Sequence, residues 1–229
     1  GYLLICVSVY EPTVEACLDS LKGLDFAEVR IDAMAHGTVD DMRRIFSQPL
    51  TLIATFRPQG PLDDGGHIPG DATRKRLLMA AIEAGANYVD IEAGSDRAYR
   101  EEIIAKARSK DCKVIVSSHN FDETPEAGEL IATACHCLDE GADIVKIACM
   151  VNSDRDNVRL LGILSREDLS GRTVVIGMGT KGRITRVAGP LFGSPFTFAS
   201  LSDEKRTAEG QMDMFTMELI LKALKDGRY

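Results

Sequence analysis

The stretch PEAGELIATACHCLDEGADIVKIACM, residues 125–150, shows both kinds of element from which the chain is built. Its first part has the apolar spacing of an amphipathic helix, and residues 142–148 form a short run rich in β-branched residues. A run of this length after a helical pattern is typical of a buried strand. The stretch therefore predicts one helix–strand step of an α/β protein.

The same alternation extends over the whole chain. Strand-like runs occur at residues 3–9, 26–32, 50–56, 87–93, 113–119, 142–148, 173–179 and 195–201, with helical patterns between most of them. This alternation predicts parallel strands with crossover helices, and eight units match the usual size of a (β/α)8 barrel. We therefore predict an α/β protein with the (β/α)8 TIM-barrel fold, as a single domain over residues 1–229. In the seventh unit, TKGRITRVAGPLFGS leaves room for only a short helix.

Composition limits the function classes. The net charge of −8 argues against nucleic acid or an anionic membrane as a partner, because basic patches recruit both, and it favours a small-molecule substrate. The N-terminal GYLLICVSV lacks the basic flank of a signal peptide, and no apolar run approaches the ~20 residues of a membrane span. We therefore expect a cytoplasmic protein.

The six cysteines show no Cys-x-x-Cys pair. Cys135 and Cys137 flank His136, but no second cluster stands at zinc-finger spacing. We expect reduced, mostly buried thiols, and no metal site.

Charged residues share one face of the second predicted strand, FAEVRID. Glu28, Arg30 and Asp32 alternate with Val29 and Ile31, and the side of a barrel strand that faces the helices must be apolar. The charged face is therefore predicted to point into the barrel.

The same interpretation applies to the three strands that follow. A barrel interior is normally filled with branched apolar side chains, and barrel enzymes place their chemistry at the C-terminal strand ends. Ion pairs that close the barrel end are the alternative explanation for any single pair, such as Glu28 with an arginine. The set as a whole favours an active site. Its further members are Thr55 and Arg57, Asp90 and Glu92, and Ser117 and His119.

Lys146 belongs to this set, because it lies within an apolar run where lysine is rarely buried without a function. Desolvation would favour its neutral amine, which adds to a ketone to form an imine. His119 ends the preceding strand, so the two side chains are predicted at the same rim, where a histidine can move protons at neutral pH. The alternatives are an ammonium that reaches the barrel mouth beside Asp143 or Glu92, and a hydrogen-bonded loop histidine.

These residues resemble those of the type I 3-dehydroquinate dehydratases, the imine-forming dehydratases of the shikimate pathway. The resemblance covers nearly the whole chain and rests on the order of EVRID, TFR…GG, SSHNFDETP, ADIVKIACM, GMGTKGRITRVAGPLFGSPFTF and EGQ. It implies a (β/α)8 barrel, commonly a homodimer, that uses no metal or cofactor. It further implies the conversion of 3-dehydroquinate to 3-dehydroshikimate with loss of water.

The matching motifs also imply roles for single residues. Lys146 would form the imine with the C3 ketone, and His119 would take the C2 proton and then help the C1 hydroxyl leave as water. Arg186 would bind the substrate carboxylate, for which a forked guanidinium is well shaped. Without the family, Arg186 would be an ordinary basic residue near a short helix. Glu28, Arg30 and Arg57 would hold the ring hydroxyls, Ser8, Met178 and Phe198 would line the pocket, and Gln211 and Thr207 would belong to a closing loop.

The sequence departs from the family pattern at two positions. The family has a glutamate before two glycines that orients the catalytic histidine, whereas FRPQGPLDDGG offers Asp64, with Asp63 as the alternative, after a longer loop. Thr207 stands where the family usually has a serine, and this change keeps a hydroxyl.

Three other interpretations stay open at this level. A class I aldolase would use the same barrel and a lysine on the sixth strand, and GMGTKG resembles its phosphate-binding loop. A non-catalytic barrel that binds a partner protein is the second. The chain could also be one half of a longer bifunctional polypeptide.

Overall fold

The computed structural model describes residues 5–34, 36–58 and 70–226. The strands are β1 (Ile5–Val9), β2 (Phe26–Arg30), β3 (Thr51–Thr55), β4 (Tyr88–Glu92), β5 (Lys113–Asn120), β6 (Ile144–Met150), β7 (Thr173–Met178) and β8 (Thr197–Ser200). The helices are α1 (Val14–Leu21), α2 (Val39–Phe46), α3 (Asp71–Ala84), α4 (Arg97–Ser109), α5 (Ala127–Asp139), α6 (Asp154–Gly162), α7 (Arg183–Phe192) and α8 (Met214–Asp226).

The strands form one sheet in the order β7-β6-β5-β4-β3-β2-β1-β8. Every predicted run overlaps one of these strands, and a helix follows each strand along the chain. The predicted (β/α)8 fold class is confirmed. Asp32 lies beyond the end of β2, in a 3-10 turn (Ile31–Ala33), so the charged face of the second run is two residues shorter than the alternation predicts.

Two compact units make up the chain. One contains residues 9–116 and 140–143, where β2, β3 and β4 pair in parallel, with Arg30 opposite Thr55 and Ile53 opposite Tyr88. Both faces of β2 are buried, as expected for a parallel strand. Helix α2 in the same unit begins with a capping box. The Thr38 hydroxyl accepts from the backbone N–H of Asp41, and the Asp41 carboxylate accepts from the backbone N–H of Thr38.

The other unit contains residues 5–8, 117–139 and 144–226 of the described chain. Here β6 pairs with β7, placing Lys146 opposite Val174, and β1 pairs with β8, placing Cys6 opposite Phe198. An apolar cluster of Val187, Ala199, Met217 and Leu221 packs α7 and α8 onto β8.

The helix of the seventh unit is not short. It has ten residues, two more than α1 or α2. The chain gains this length because a 3-10 turn (Thr180–Gly182) leads directly from the end of β7 into α7. Gly182 makes this connection possible, since a Cβ there would lie 2.3 Å from the carbonyl oxygen of Gly177.

The six cysteines are free thiols, five of them buried and Cys135 partly buried, as predicted. Within residues 5–34, 36–58 and 70–226, no helix is long and apolar enough to cross a membrane. The same residues contain no group of three or more acidic, histidine or cysteine side chains placed to hold a metal ion. The single-domain prediction stays a prediction.

Candidate active site

Lys146 lies in the middle of β6, whose residues from Ile144 to Cys149 are all buried. The lysine side chain is itself only 7% exposed. Its Nζ lies 4.1 Å from the centroid of the Phe198 ring on β8. Phe198 in turn makes an edge-to-face contact with Phe196. Two residues from distant motifs, predicted to share a pocket, are therefore in contact.

His119 is the penultimate residue of β5, next to β6 in the sheet order. It is partly buried, and its imidazole is stacked on the ring of Phe121, with centroids 5.7 Å apart and planes 10° from parallel. The structure thus places His119 and Lys146 in the same compact unit, on neighbouring strands, as the sequence predicts.

The segment after β5 is attached to the end of β6. The Thr124 hydroxyl donates a hydrogen bond to the carbonyl of Met150 at 2.7 Å, and the side-chain amide of Asn152 donates to the carbonyl of Asp122 at 2.9 Å. These bonds connect the SSHNFDETP motif to the strand that carries Lys146.

Arg186 in α7 is 2% exposed and is the largest fully buried side chain among the described residues. Its Nε has no hydrogen-bond partner, and no carboxylate of the described chain pairs with it. Burial, followed by the positive charge of Arg183, lowers the pKa of Arg186 below its ordinary value. A buried guanidinium without a counter-charge is costly for the fold, so the site is suited to an anion that comes from outside.

Gln211 lies in the segment between β8 and α8 and is 2% exposed. Its Oε1 accepts two hydrogen bonds from Thr207, one from the backbone N–H at 2.9 Å and one from the hydroxyl at 3.2 Å. The amide Nε2 of Gln211 is the donor group that these two bonds do not use. Thr207 therefore holds the Gln211 side chain in place, and its predicted contact with substrate stays a prediction.

The same segment is fixed against the end of β7. The backbone N–H of Gly179 donates to the carbonyl of Glu209 at 3.2 Å, and Nε of Arg183 donates to the carbonyl of Gly210 at 3.3 Å. An open cavity of about 460 Å³ is lined by Thr180, Arg183, Arg206, Thr207, Ala208, Glu209 and Gly210.

In the unit of residues 9–116 and 140–143, the predicted charges form an ion-pair network around Arg57. Its guanidinium bonds to Asp90 and to Glu92, and it lies 4.0 Å from Glu28. Burial disfavours its charge, but the three carboxylates outweigh burial and raise the pKa of Arg57 above its ordinary value. Glu28 also accepts a hydrogen bond from Thr55 at 2.9 Å.

Arg30 forms a two-pronged pair with Asp32, at 3.0 and 2.8 Å, and its guanidinium lies over the ring of Tyr10. Asp32 also accepts a hydrogen bond from the backbone N–H of Arg57. The sequence predicts no role for Asp32 beyond its place on the charged face, and its position two residues after Arg30 is the available signal. It positions both predicted hydroxyl-binding arginines.

Two further predicted residues lie at strand ends. Ser8 in β1 is buried opposite Ser200, and Met178 is the last residue of β7, opposite Met150. Asp64 and its alternative Asp63 lie outside the described residues, so their predicted role stays a prediction.

Comparison with known proteins connects this geometry to one family. The family described as Type I 3-dehydroquinase matches residues 5–228. A 3-dehydroquinate dehydratase of Methanothermobacter thermautotrophicus is 40% identical over 217 residues, which are 92% of this chain and 92% of that protein.

Solved structures agree. The 3-dehydroquinate dehydratase of Aquifex aeolicus has a TM-score of 0.80 and 29% identity, covering 97% of this chain and 99% of that one. A type I 3-dehydroquinate dehydratase of Clostridium difficile has a TM-score of 0.84 at 23% identity, covering 100% and 94%, and supports the fold.

Proposed function

Because the chain belongs to the type I 3-dehydroquinase family and is a 3-dehydroquinate dehydratase, a hydro-lyase, we propose that it works through an imine on Lys146, with His119 moving the protons. This family membership replaces the aldolase and the non-catalytic interpretations. The proposal concerns the roles of single residues in this reaction.

The first step is the addition of the Lys146 amine to the C3 ketone. The Nζ–C3 bond forms, the ketone oxygen leaves as water, and one proton taken from solvent gives the protonated imine; this proton is released again when the product imine is hydrolysed. Two observations support Lys146 in this role. The side chain is 7% exposed, and its Nζ faces the apolar ring of Phe198 at 4.1 Å. Burial keeps bulk water away from the amine, and the face of the Phe198 ring holds Nζ in a defined position.

His119 then accepts the C2 proton. The electron pair of the C–H bond moves towards the iminium nitrogen, and an enamine forms. The enamine then re-forms the iminium, its C2–C3 electron pair makes a C1–C2 double bond, and the C1–O bond breaks. His119 gives its proton to the departing hydroxyl, which leaves as water. Hydrolysis of the product imine consumes the water released in the first step and regenerates the lysine, so the net change is the loss of one water.

The observation that carries the proposal is the buried Arg186. Its guanidinium has no carboxylate partner in the described chain, and burial, followed by the positive charge of Arg183, disfavours its charge and lowers its pKa. The 3-dehydroquinate carboxylate would supply the missing negative charge and accept from the guanidinium fork. A substrate without a carboxylate would leave this cation uncompensated.

Gln211 is proposed as a second donor to the substrate. Its Oε1 is occupied by Thr207, so its amide N–H groups are the ones left to donate. The bonds from Gly179 to Glu209 and from Arg183 to Gly210 keep this segment folded against the end of β7.

The other expectations rest on the family resemblance alone and stay predictions. They are the binding of ring hydroxyls by Glu28, Arg30 and Arg57, the contact of Ser8 and Met178 with substrate, and the orienting role of Asp64. The homodimer, the cytoplasmic location and the place in the shikimate pathway also stay predictions.

Reduction of the imine tests the central step. Incubation with 3-dehydroquinate and borohydride should add one ligand mass to the peptide that carries Lys146, and Lys146→Ala should abolish both adduct and turnover. Lys181→Ala is a matched control, since Lys181 is an exposed lysine whose Nζ donates to the Asn152 carbonyl. It should leave the adduct unchanged. An adduct on another lysine would contradict the assignment.

A further inference from the structure

Phe121 is exposed in a way that packing does not explain. The side chain is 69% exposed, although phenylalanine is among the residues most often buried. Single exposed apolar residues are common and need no explanation by themselves. Phe121 differs because its ring lies nearly parallel to the imidazole of His119, with centroids 5.7 Å apart and planes inclined by 10°.

The backbone around Phe121 is held in place on both sides. The side-chain oxygen of Asn120 accepts hydrogen bonds from the backbone N–H groups of Asp122 at 3.1 Å and Glu123 at 2.9 Å, which closes a turn around Phe121. The bonds from Thr124 and Asn152 then fix this turn to the end of β6. The aromatic ring is therefore presented to His119 by an anchored turn.

A histidine that takes a proton from one carbon and gives it to an oxygen on the next must keep its ring plane constant between the two transfers. Rotation about the Cβ–Cγ bond is broad and soft for a histidine, so an outside contact has to define it. A flat ring stacked on the imidazole restricts this rotation, and aromatic pairs prefer such offset parallel geometry.

We propose that Phe121 is a positioning residue for the dehydration, which acts by fixing the plane of the His119 imidazole. Phe121 does not touch the reacting atoms in this role. The inference rests on the proposed function, because it requires His119 to be the proton-transfer group.

The test compares side chains that do and do not stack. Phe121→Leu keeps an apolar side chain but loses the flat ring, and Phe121→Tyr keeps the ring. Phe121→Leu should lower kcat by about 10-fold, a part of the 10²- to 10⁴-fold that acid–base assistance supplies. Its KM should stay near the wild-type value, and the borohydride-trapped imine should increase. Phe121→Tyr, which keeps the ring, should have a kcat near that of the wild type.

Phe192→Leu is the matched control. Phe192 is 63% exposed and lies at the C-terminal end of α7, so its replacement should leave kcat unchanged. Because the Phe121 side chain is exposed, the variants should also keep the wild-type thermal unfolding midpoint.

A double-mutant cycle separates this inference from the proposed function. If Phe121 acts through His119, Phe121→Leu should have no further effect on the residual rate of His119→Ala. An equal loss in both backgrounds, or a wild-type kcat for Phe121→Leu, would overturn the positioning role. A His119→Ala enzyme with wild-type turnover would instead remove the proposed function on which the inference depends.

Discussion

The backbone of Gly210 lies directly against the carbonyl group of Gly179. A Cβ on Gly210 would be 2.2 Å from this oxygen, and Gly210 also has a positive φ of 86°. The contact joins the segment that carries Gln211 to the end of β7, so the position of Gln211 depends on the absence of a side chain at Gly210.

Gly210→Ala should therefore impair substrate binding. The methyl group would push the segment away from Gly179 and displace Gln211, and we expect kcat/KM to fall by about 10-fold or more, as for the loss of a positioned polar contact. The measurement is steady-state kinetics with 3-dehydroquinate.

Gly171→Ala is the matched control for this change. Gly171 has a similar positive φ of 79°, but a Cβ there would meet nothing within 4 Å. It should cost about 1–2 kcal/mol in the free energy of unfolding, through backbone strain alone, and leave kcat/KM unchanged. Equal kinetic defects in the two variants would contradict the role of the close contact.

The hydroxyl of Thr207 should matter through Gln211. Thr207→Val removes the 3.2 Å hydrogen bond to Gln211 Oε1 but keeps the backbone one, so KM should rise by about 2- to 10-fold, the range of one hydrogen bond. Thr207→Ser should be nearly wild-type. A Thr207→Val enzyme with unchanged KM would show that the backbone bond is sufficient.

Arg186 should show opposite effects on binding and stability. Arg186→Met removes a buried, uncompensated cation and should raise the free energy of unfolding, whereas substrate binding should be lost. Arg186→Lys should also fail to restore binding, because a point charge cannot reproduce the guanidinium fork. An unchanged KM in Arg186→Lys would exclude Arg186 from the carboxylate site.

Arg74→Met provides the stability comparison. Arg74 is 3% exposed, but it pairs with Asp71 at 2.8 Å and lies over the ring of Tyr99. Its replacement leaves a buried carboxylate without this partner, so it should destabilise the protein by about 3–5 kcal/mol. Chemical denaturation of both variants measures the contrast.

His119→Ala should separate imine formation from dehydration. In the proposed mechanism, imine formation needs the Lys146 amine, whereas removal of the C2 proton and departure of the hydroxyl need a group that accepts and returns a proton. We expect turnover to fall by about 10²- to 10⁴-fold, with a larger adduct fraction than the wild type in intact-mass measurements. Near-normal dehydration would place the base elsewhere, and the absence of any adduct would show that His119 is also needed to build the imine.

The sequence by itself determined the fold class and singled out the residues that are proposed to carry the chemistry. Alternation of β-branched runs with helical patterns is a local property, because each strand and helix must bury one side of its own segment. Local pattern also singled out Lys146, because a lysine inside an apolar run contradicts that pattern. His119 was singled out because it ends the preceding predicted strand. The motif order around Arg186 then completed the assignment.

Only the tertiary structure decided which of the charged residues already have partners. Arg57 is partly buried and paired with Asp90 and Glu92, whereas the more deeply buried Arg186 has no carboxylate partner among the described residues. In the sequence, each of the two is simply an arginine within a short motif. The partner of such a charge is set by strand register and helix packing between segments far apart in sequence, so the sequence alone does not reveal it. The close approach of Gly210 to Gly179 and the ring of Phe121 on His119 depend on exact backbone placement in the same way, and periodicity does not carry that information.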